Sequence, residues 1–488
     1  MSPIDQILIV LFLAATLAVG LLLKTNDKSQ AGYLLGGRAL TLPAFIATTV
    51  STWYGGILGV GEYSYNYGIS SWLVFGVPYY IGALLFALLL CKRARESNSL
   101  TLPHRLGITY GRHVGRFAAI LVFLTSLPAA YMLIMGTLLS MTFGISQSLA
   151  ILLTAVFIVL YLWRGGFSAV TKTDFFQCIM MFGGFIMLSA ILLAQYGTAP
   201  LQTLPPTHWS PTGGMPIGSV LIWYVIALST LAEPNFFQRA FAAKTPAVAK
   251  NGMLLSIVCW LCFDAMTTLC GLYARALLPD LDTPLHAFPA LAQHVLPAGL
   301  LGLFFISMLS TVMSTLDSNL FTVATTFGRD IFGFQTDPKP TAQHTDTKEN
   351  EKITKKKVDF LDDIVTKRTR IGLILATFIA SILAIFFGSV IEIWKIFGSI
   401  SAAALLIPIL STWFPKLKMN AKSAFVLMLA SAVTTILWFA IKKIYAYSPL
   451  GLEPLFAGGI VSILIYMLDK FIIPKLKTSH EQNSAINK

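Results

Sequence analysis

One long apolar segment of this chain carries hydroxyl side chains at helical spacing. The pattern i, i+3, i+4, i+7 holds for Thr311, Ser314, Thr315 and Ser318. On a helix these four residues would share one face, where their hydroxyls could hydrogen-bond a neighbouring helix. The same oxygens could instead bind a hard cation such as sodium, with carbonyls of an unwound helix completing the coordination shell. The spacing alone leaves both interpretations open.

Helix-breaking residues interrupt two other apolar segments. Segment 43–66 contains the pair Gly55-Gly56, and segment 217–239 contains Glu233 followed by Pro234. Proline cannot donate to the helix ladder and disfavours helical backbone at the residue before it. Interrupted spans at corresponding places in two halves are typical of a transporter's central site, because freed backbone groups need protein or a water-lined cavity around them. Ordinary kinks and packing glycines are the alternative.

Ionisable side chains within apolar segments are further candidates, because charge is costly at membrane depth. Glu233 is the best placed of them, beside the second break, and a structural ion pair with Arg239 is its alternative role. Around the two breaks, the predicted substrate-pocket residues are Trp53, Gly55, Gly56, Glu62, Glu233, Pro234 and Asn235.

The composition requires that helices in a membrane position these residues. Of the 488 residues, 56% are in the AVILMFWYC set and only 12% are charged, about half the charged share of a soluble domain. Several uncharged runs reach the length of a transmembrane helix. The composition excludes a soluble enzyme, a nucleic-acid-binding protein and a secreted disulfide scaffold. The five cysteines fall in or beside apolar runs, so we expect them to pack rather than to bind metal.

The apolar runs predict thirteen transmembrane helices. The predicted spans are 6–23, 43–66, 72–91, 117–143, 147–163, 174–196, 217–239, 252–275, 298–328, 370–389, 394–413, 424–441 and 452–472. Nearly all Lys and Arg residues fall in the loops that alternate spans place on one side, which the positive-inside rule assigns to the cytoplasm. We therefore predict a multi-pass protein of the plasma (inner) membrane, with an external N-terminus and a cytoplasmic C-terminus.

Four short motifs follow one another along the chain. They are LGGR at 35–38, GGFSAV at 165–170 followed by Thr173-Asp174 and Gln177, QRAFAAK at 238–244, and VMSTLDS at 312–318 with RDI at 329–331. Through them the chain resembles the sodium:solute symporter family, whose members include proline, sugar, sialic acid, pantothenate and iodide carriers. The match runs from about Gly36 to Phe332, with weaker similarity to about residue 470. The resemblance implies an all-α membrane protein with a leucine-transporter-like core of two inverted five-helix repeats.

The resemblance also implies a sodium site between the first and eighth core helices. The implied ligands are the carbonyls of Ser51, Tyr54 and Thr311 and the hydroxyls of Ser314 and Thr315. The family often has Ala at the position of Thr311, and a carbonyl ligand tolerates that difference.

Asp174 matches a family aspartate that in some members supports a second sodium or lies on the ion's exit path. Pairing with Lys172 or Arg164 is the alternative role. Trp53 stands where the proline carriers have an aspartate, and Ile57-Leu58 stands where the sugar carriers have a Glu-Gln pair. Proline and sugar are therefore disfavoured as solutes, and the solute stays open.

The resulting domain prediction has four parts. Residues 1–42 form an extra helix and a cytoplasmic loop, and 43–413 form the core. The core contains repeats 43–196 and 217–413 and a hydrophilic cytoplasmic loop, 333–366, for which a tether and a regulatory segment are the alternatives. Two further helices occupy 414–472, and 473–488 is a short cytoplasmic tail.

The predicted function is sodium-coupled symport of a small organic solute into the cell by alternating access. Coupling to protons through Glu233 or Asp174 is the alternative, and a transporter-like sensor is a third possibility. We expect no catalysis, no cofactor apart from Na⁺ as the coupling ion, no nucleic acid and no obligate protein partner. The lipid bilayer is the expected surrounding.

Overall fold

The computed structural model describes residues 1–22, 29–163, 166–332, 348–445, 449 and 452–472. Within these ranges the chain is helical, and an isolated bridge between Leu40 and Ala243 is the one β-type pairing. The predicted tail 473–488 and the first half of the predicted loop 333–366 lie outside the described residues. A helix begins at Lys348, inside that predicted loop, where Lys and Glu favour helical backbone.

The long helices are numbered here in chain order. They are α1 (Pro3–Leu22), α2 (Leu42–Trp53), α3 (Ile57–Tyr67), α4 (Val77–Leu89), α5 (Arg112–Thr125), α6 (Ala129–Phe143), α7 (Gln147–Leu162), α8 (Gly166–Tyr196), α9 (Ile217–Ile226), α10 (Pro234–Ala242), α11 (Pro246–Leu277), α12 (Leu300–Thr325), α13 (Lys348–Phe387), α14 (Val390–Trp413), α15 (Ala421–Tyr445) and α16 (Pro454–Met467). Shorter helices span Gln30–Leu35, Cys91–Glu96, Leu102–Tyr110 and Ala287–Val295.

Membrane-spanning capacity agrees with the apolar composition. In the part of the chain that the structure describes, eleven helices are long and apolar enough to cross a membrane. Helix α7 is apolar but shorter, and the predicted span 43–66 is divided into α2 and α3. The multi-pass helical architecture is therefore confirmed, whereas the count of thirteen spans stays a prediction.

The first predicted break lies between α2 and α3. Residues Tyr54–Gly56 form a 3-10 turn there. A Cβ atom on Gly55 would come within 2.4 Å of the Thr315 side chain, and one on Gly56 within 1.9 Å of the Trp394 ring. Both glycines are therefore required by the close approach of α12 and α14 to the turn.

The second predicted break lies between α9 and α10. Residues Ala227–Ala232 form a 3-10 segment, and Glu233 is extended, with φ −72° and ψ 113°. Helix α10 then begins at Pro234, where a missing N–H costs nothing because the first turn of a helix has no intrahelical acceptor for it. The two interruptions place free backbone groups near the middle of the fold.

Helix α12 lies at the centre of the fold. Nearly all of its residues are buried, and it packs against α1, α2, α8, α13 and the 54–56 turn. Its serines and threonines therefore face protein rather than lipid.

The sequence motifs converge at one end of the molecule. The Leu40 N–H donates to the Ala242 carbonyl at 3.1 Å, and the Lys244 N–H donates to the Leu40 carbonyl at 2.9 Å. Gly36, at φ +58°, packs so closely on Ser168 that a Cβ would lie 2.9 Å from its hydroxyl. The first three motifs thus form a closed end around the start of α2 and the end of α10.

Candidate sodium and substrate sites

The hydroxyl face of α12 meets α2 just before the first break. The Ser314 hydroxyl lies 2.7 Å from the Ser51 hydroxyl. The Thr315 hydroxyl lies 3.3 Å from the Ser51 carbonyl and 3.4 Å from the Thr311 carbonyl. Tyr54 begins the adjacent turn, next to the glycine that packs on Thr315. The structure therefore brings Ser51, Thr311, Ser314 and Thr315 into contact and places Tyr54 beside them in the chain.

This cluster is buried and rich in oxygen. Ser51, Thr311 and Ser314 are fully buried. The Ser51 hydroxyl also lies 2.8 Å from the Ala47 carbonyl, and the Ser314 hydroxyl lies 2.6 Å from Asp174 Oδ1. Ser51 and Ser314 therefore make three close oxygen–oxygen contacts with only two hydroxyl protons between them. A cation is suited to such an excess of lone pairs.

Asp174 lies beside this cluster and is fully buried. It pairs with Arg239 at 3.6 Å, both side chains having no exposed surface, and it accepts a hydrogen bond from Thr48. Lys172, one of the two predicted partners of Asp174, does not form the observed ion pair, and Arg164, the other, lies outside the described residues.

Arg239 connects four helices through this pair. Its Nη2 donates to Thr52 at 2.6 Å, on α2, and to Ser318 at 2.7 Å, on α12. Its Nη1 donates to the Asn235 carbonyl at 3.2 Å within α10. The guanidinium therefore fixes α2, α8, α10 and α12 relative to one another.

Asp317 is a buried acid whose surroundings the sequence analysis missed. Its carboxylate has Asp174, Tyr161 and Gln177 as electrostatic neighbours. In the described part of the chain, neither its oxygens nor the Gln177 amide atoms reach hydrogen-bonding geometry with a partner. The signal was present in the spacing, since Gln177 follows Asp174 by three residues and Asp317 follows Ser314 by three.

A cavity of about 210 Å³ lies between the two breaks. Of the predicted pocket residues, Trp53, Gly56, Glu233 and Asn235 line it. Gly55 and Pro234 flank these residues in the chain. Glu62 lies apart from them, in a second cavity of about 940 Å³ that also contains Glu392 and Lys395.

Aromatic rings dominate the lining of the smaller cavity. They include Trp53, Tyr79, Tyr131, Trp223, Phe236 and Trp394. Glu233 and Asp264 are its acidic lining residues, and Asn235 and Asn319 supply amides.

Glu233 also caps α10. One of its carboxylate oxygens accepts from the Asn235 N–H at 3.2 Å and from the Asn235 side-chain amide at 3.0 Å. Asn235 in turn bonds Asn319 and Thr322 of α12, which ties the second break to the central helix.

Two interrupted helices around a central cavity, with a buried oxygen cluster beside it, define a secondary transporter. Two solved structures share this fold. A substrate-bound, outward-open Na⁺-coupled sialic acid symporter superimposes with a TM-score of 0.73 at 17% identity, over 97% of this chain and 98% of that one. Mhp1, a nucleobase-cation-symport-1 family transporter, gives 0.55 at 11% identity, over 93% and 96%. The structure therefore has the leucine-transporter-type fold with two inverted five-helix repeats.

The family follows from sequence comparison. The model of the sodium:solute symporter family matches residues 33–431, so the chain belongs to that family. It is 29% identical over 367 residues to the sodium/pantothenate symporter of Haemophilus influenzae, covering 70% of this chain and 72% of that protein. It is 24% identical over 479 residues to the osmoregulated proline transporter OpuE of Bacillus subtilis, covering 90% of each. The chain is thus a sodium-coupled symporter in a membrane, and the proton-coupled alternative is not favoured.

Proposed function

We propose that sodium binds between α2 and α12. Its ligands are the carbonyls of Ser51, Tyr54 and Thr311 and the hydroxyls of Ser314 and Thr315. The observation that carries this proposal is the buried contact of Ser51 with Ser314 and Thr315, at 2.7 and 3.3 Å. Because the ligands come from two helices, the ion stabilises the arrangement in which α2 and α12 lie together.

Asp174 supports a second ion or lies on the exit path of the first. Its carboxylate lies 2.6 Å from the Ser314 hydroxyl, so any ion leaving the α2–α12 site on that side meets a negative charge. The Asp174–Arg239 pair holds this charge in place when no ion is near.

The solute binds in the cavity between the two breaks and reaches it through the larger cavity. Trp223 and Ile226 line both cavities, so they form the boundary between them. In the proposed orientation, with the N-terminus outside and the C-terminus in the cytoplasm of the plasma (inner) membrane, the larger cavity faces outward. Sodium binding stabilises this outward-facing arrangement, and repeats 43–196 and 217–413 exchange access between the two sides.

This proposal involves no catalysis, no cofactor other than Na⁺ and no obligate protein partner. A small organic solute and sodium are the transported species. Each raises the affinity of the protein for the other by the same factor, because the coupling between two bound ligands is reciprocal.

Binding of radioactive sodium to the purified protein in lipid nanodiscs tests the sodium site. We expect saturable binding that unlabelled sodium displaces and potassium does not. Sodium should also raise the midpoint of thermal unfolding by preferential binding to the folded state, whereas potassium should not. Equal binding and equal stabilisation by the two ions would contradict the proposal.

A further inference from the structure

The smaller cavity has acidic side chains but no basic side chain among its described lining residues. Among the described residues that line it, two are acids, Glu233 and Asp264, and none is Lys, Arg or His. The buried guanidinium of Arg239 forms its ion pair with Asp174, and Glu233 is its second, weaker electrostatic neighbour. Ionised groups at membrane depth are costly unless a partner compensates them. The cavity is therefore built to receive positive charge.

Asp264 is held in position by a short chain of hydrogen bonds. The Tyr80 hydroxyl donates to Asp264, and the Trp72 indole N–H donates to the Tyr80 oxygen at 3.1 Å. Asp264 is 5% exposed, and no salt bridge to it occurs within the described ranges. Tyr54 is a further neighbour of the Asp264 carboxylate. The groups around this carboxylate are therefore neutral hydroxyls. These hydrogen bonds fix the position of the Asp264 carboxylate without providing a positive charge.

Of the two half-helices that begin at the cavity, α10 already has its N-terminus occupied by a carboxylate of the chain itself, whereas α3 has no side-chain cap at Gly56. In transporters with broken helices, the N-terminus of a half-helix points at anionic groups of the substrate. Here the N-terminus of α10 is capped by the chain's own Glu233, which accepts from the Asn235 N–H at 3.2 Å. At α10, a solute carboxylate would have to displace Glu233 and would then meet Asp264 without a basic partner.

Aromatic faces supply the rest of the recognition. Trp53 packs against Tyr79 and Phe236 with ring centroids 5.2 and 5.0 Å apart, and all three rings line the cavity. Tyr131 and Trp394 line the same space. Cations bind to aromatic faces through the ring quadrupole, most strongly where water is excluded, and quaternary ammonium groups are recognised in this way.

We infer that the transported solute is a small organic cation, an amine or quaternary ammonium compound with an apolar body and no carboxylate. Its ammonium group lies near Asp264 and Glu233, and its apolar part packs on the aromatic walls. The inference rests on the proposed function, because it concerns the solute of the same sodium-coupled cavity. It differs from pantothenate and proline, the solutes in the names of two relatives, each of which carries a carboxylate.

A matched set of ligands of differing charge tests the inference on the full chain in nanodiscs. Phenethylamine, phenethyl alcohol and hydrocinnamate are of similar size and are respectively cationic, neutral and anionic; tetramethylammonium, proline and pantothenate complete the set. Thermal unfolding is followed with and without sodium. We expect phenethylamine or tetramethylammonium to stabilise the protein more when sodium is present, and the neutral and anionic compounds not to do so.

Isosteric variants show whether Asp264 and Glu233 recognise the positive charge of the solute. Asp264→Asn and Glu233→Gln should each weaken cation binding by about tenfold or more while retaining stabilisation by sodium, which serves as the check on folding. Asp363→Asn and Glu96→Gln, the same changes at exposed acids, should leave cation binding unaltered. Tyr80→Phe keeps the charge of Asp264 and should produce a smaller loss.

The outcomes separate the inference from the proposed function. Stabilisation by hydrocinnamate, proline or pantothenate but not by the cations overturns the inference and leaves the sodium site standing. Unaltered cation binding in both isosteric variants also overturns it. Absence of any response to sodium in the unmodified protein contradicts the proposed function instead.

Discussion

At the scale of single residues, the hydroxyls of Ser314 and Thr315 are the sharpest test of the ion site. Replacing both with Ala removes two of the five proposed oxygen ligands and leaves three carbonyls. Ala favours helix and suits close helix packing in membranes, so folding should change little. We expect normal abundance and at least a tenfold rise in the sodium concentration that half-maximally stabilises the protein, a loss of about 1.4 kcal/mol or more of binding free energy.

Thr311→Ala is the matched control for this double variant. The Thr311 hydroxyl donates to the Ser307 carbonyl within α12 at 2.7 Å, and the proposed ligand at this position is the carbonyl of Thr311. The control should therefore retain nearly the original sodium response. Wild-type sodium dependence in the double variant would mean that the two hydroxyls only join α12 to α2.

The buried pair of Asp174 and Arg239 should contribute to stability as a unit. Removing one partner leaves an uncompensated buried charge, which typically costs about 3–5 kcal/mol. We expect Asp174→Asn and Arg239→Gln each to lower the free energy of unfolding strongly. The double variant should lose less than the sum of the two single losses, as a double-mutant cycle in denaturant measures. Additive losses would show that the two side chains act independently despite their contact.

Part of the site could be predicted from residue types and part could not. The hydroxyl spacing on α12 placed Thr311, Ser314 and Thr315 on one face, and their contact with Ser51 followed once the family motifs were aligned. The pairing of Asp174 with Arg239 could not be predicted, because helix periodicity relates neighbours within one helix and gives no contacts between distant helices. The position of Asp264 in the cavity could not be predicted either, since its partner Tyr80 lies on a different helix.

At the scale of helices, the two glycines of the first break have different neighbours, so replacing each with alanine should affect a different ligand. A Cβ on Gly55 meets the Thr315 side chain at 2.4 Å, whereas one on Gly56 meets the Trp394 ring at 1.9 Å. Gly55→Ala should therefore weaken the sodium response. Gly56→Ala should push Trp394 into the cavity and weaken the solute response more than the sodium response.

Gly183→Ala is the control for both variants. Gly183 lies within α8, and its added Cβ would meet no atom within 4 Å. Stabilisation by sodium and by the cationic ligand should remain unaltered in this variant, as thermal unfolding measures. Identical effects of Gly55→Ala and Gly56→Ala on both ligands would contradict the separate roles assigned to the two glycines.

Helix breaks were predictable at this scale, whereas helix ends were less so. Proline and paired glycine act locally on the backbone, so the interruptions near Gly55-Gly56 and at Glu233-Pro234 follow from the chain itself. Helix α8 begins at Gly166, eight residues before the predicted start at Asp174. Hydropathy detects the apolar part of a helix and cannot show that Thr173 and Asp174 are buried against other helices.

At the scale of the whole molecule, one end is closed by polar contacts. The pairing of Leu40 with Ala243 is extended by Arg95, whose guanidinium donates to the Ala243 carbonyl. Arg329 donates to the Gln30 side chain at 3.1 Å, which ties the segment that follows α12 to the short helix Gln30–Leu35. The opposite end holds the cavity of about 940 Å³. With the proposed orientation, the closed end is cytoplasmic and the structure faces outward.

Chemical labelling of single cysteines tests both the orientation and the effect of sodium. The five native cysteines are first replaced, and Asn66→Cys is introduced in the larger cavity or Lys244→Cys at the closed end. A membrane-impermeant maleimide should label Asn66→Cys in intact cells and Lys244→Cys only in inside-out vesicles. The reverse pattern would invert the proposed orientation, in which the positive-inside rule places Lys244 in the cytoplasm.

The same reagent reports on the closed end through Leu40→Cys. Leu40 is 8% exposed while it pairs with Ala243, so a thiol there should react only when that end opens. A ligand shifts a conformational equilibrium only through its differential affinity for the two states.

If the proposed ion site holds α2 against α12 in the outward-facing state, sodium should slow the labelling of Leu40→Cys in inside-out vesicles. Sodium should also speed the labelling of Asn66→Cys in intact cells. Potassium at the same concentration should change neither rate. If sodium changed the labelling rate at neither position, sodium binding would not control which side of the membrane the cavity opens to. That result would contradict the proposed coupling.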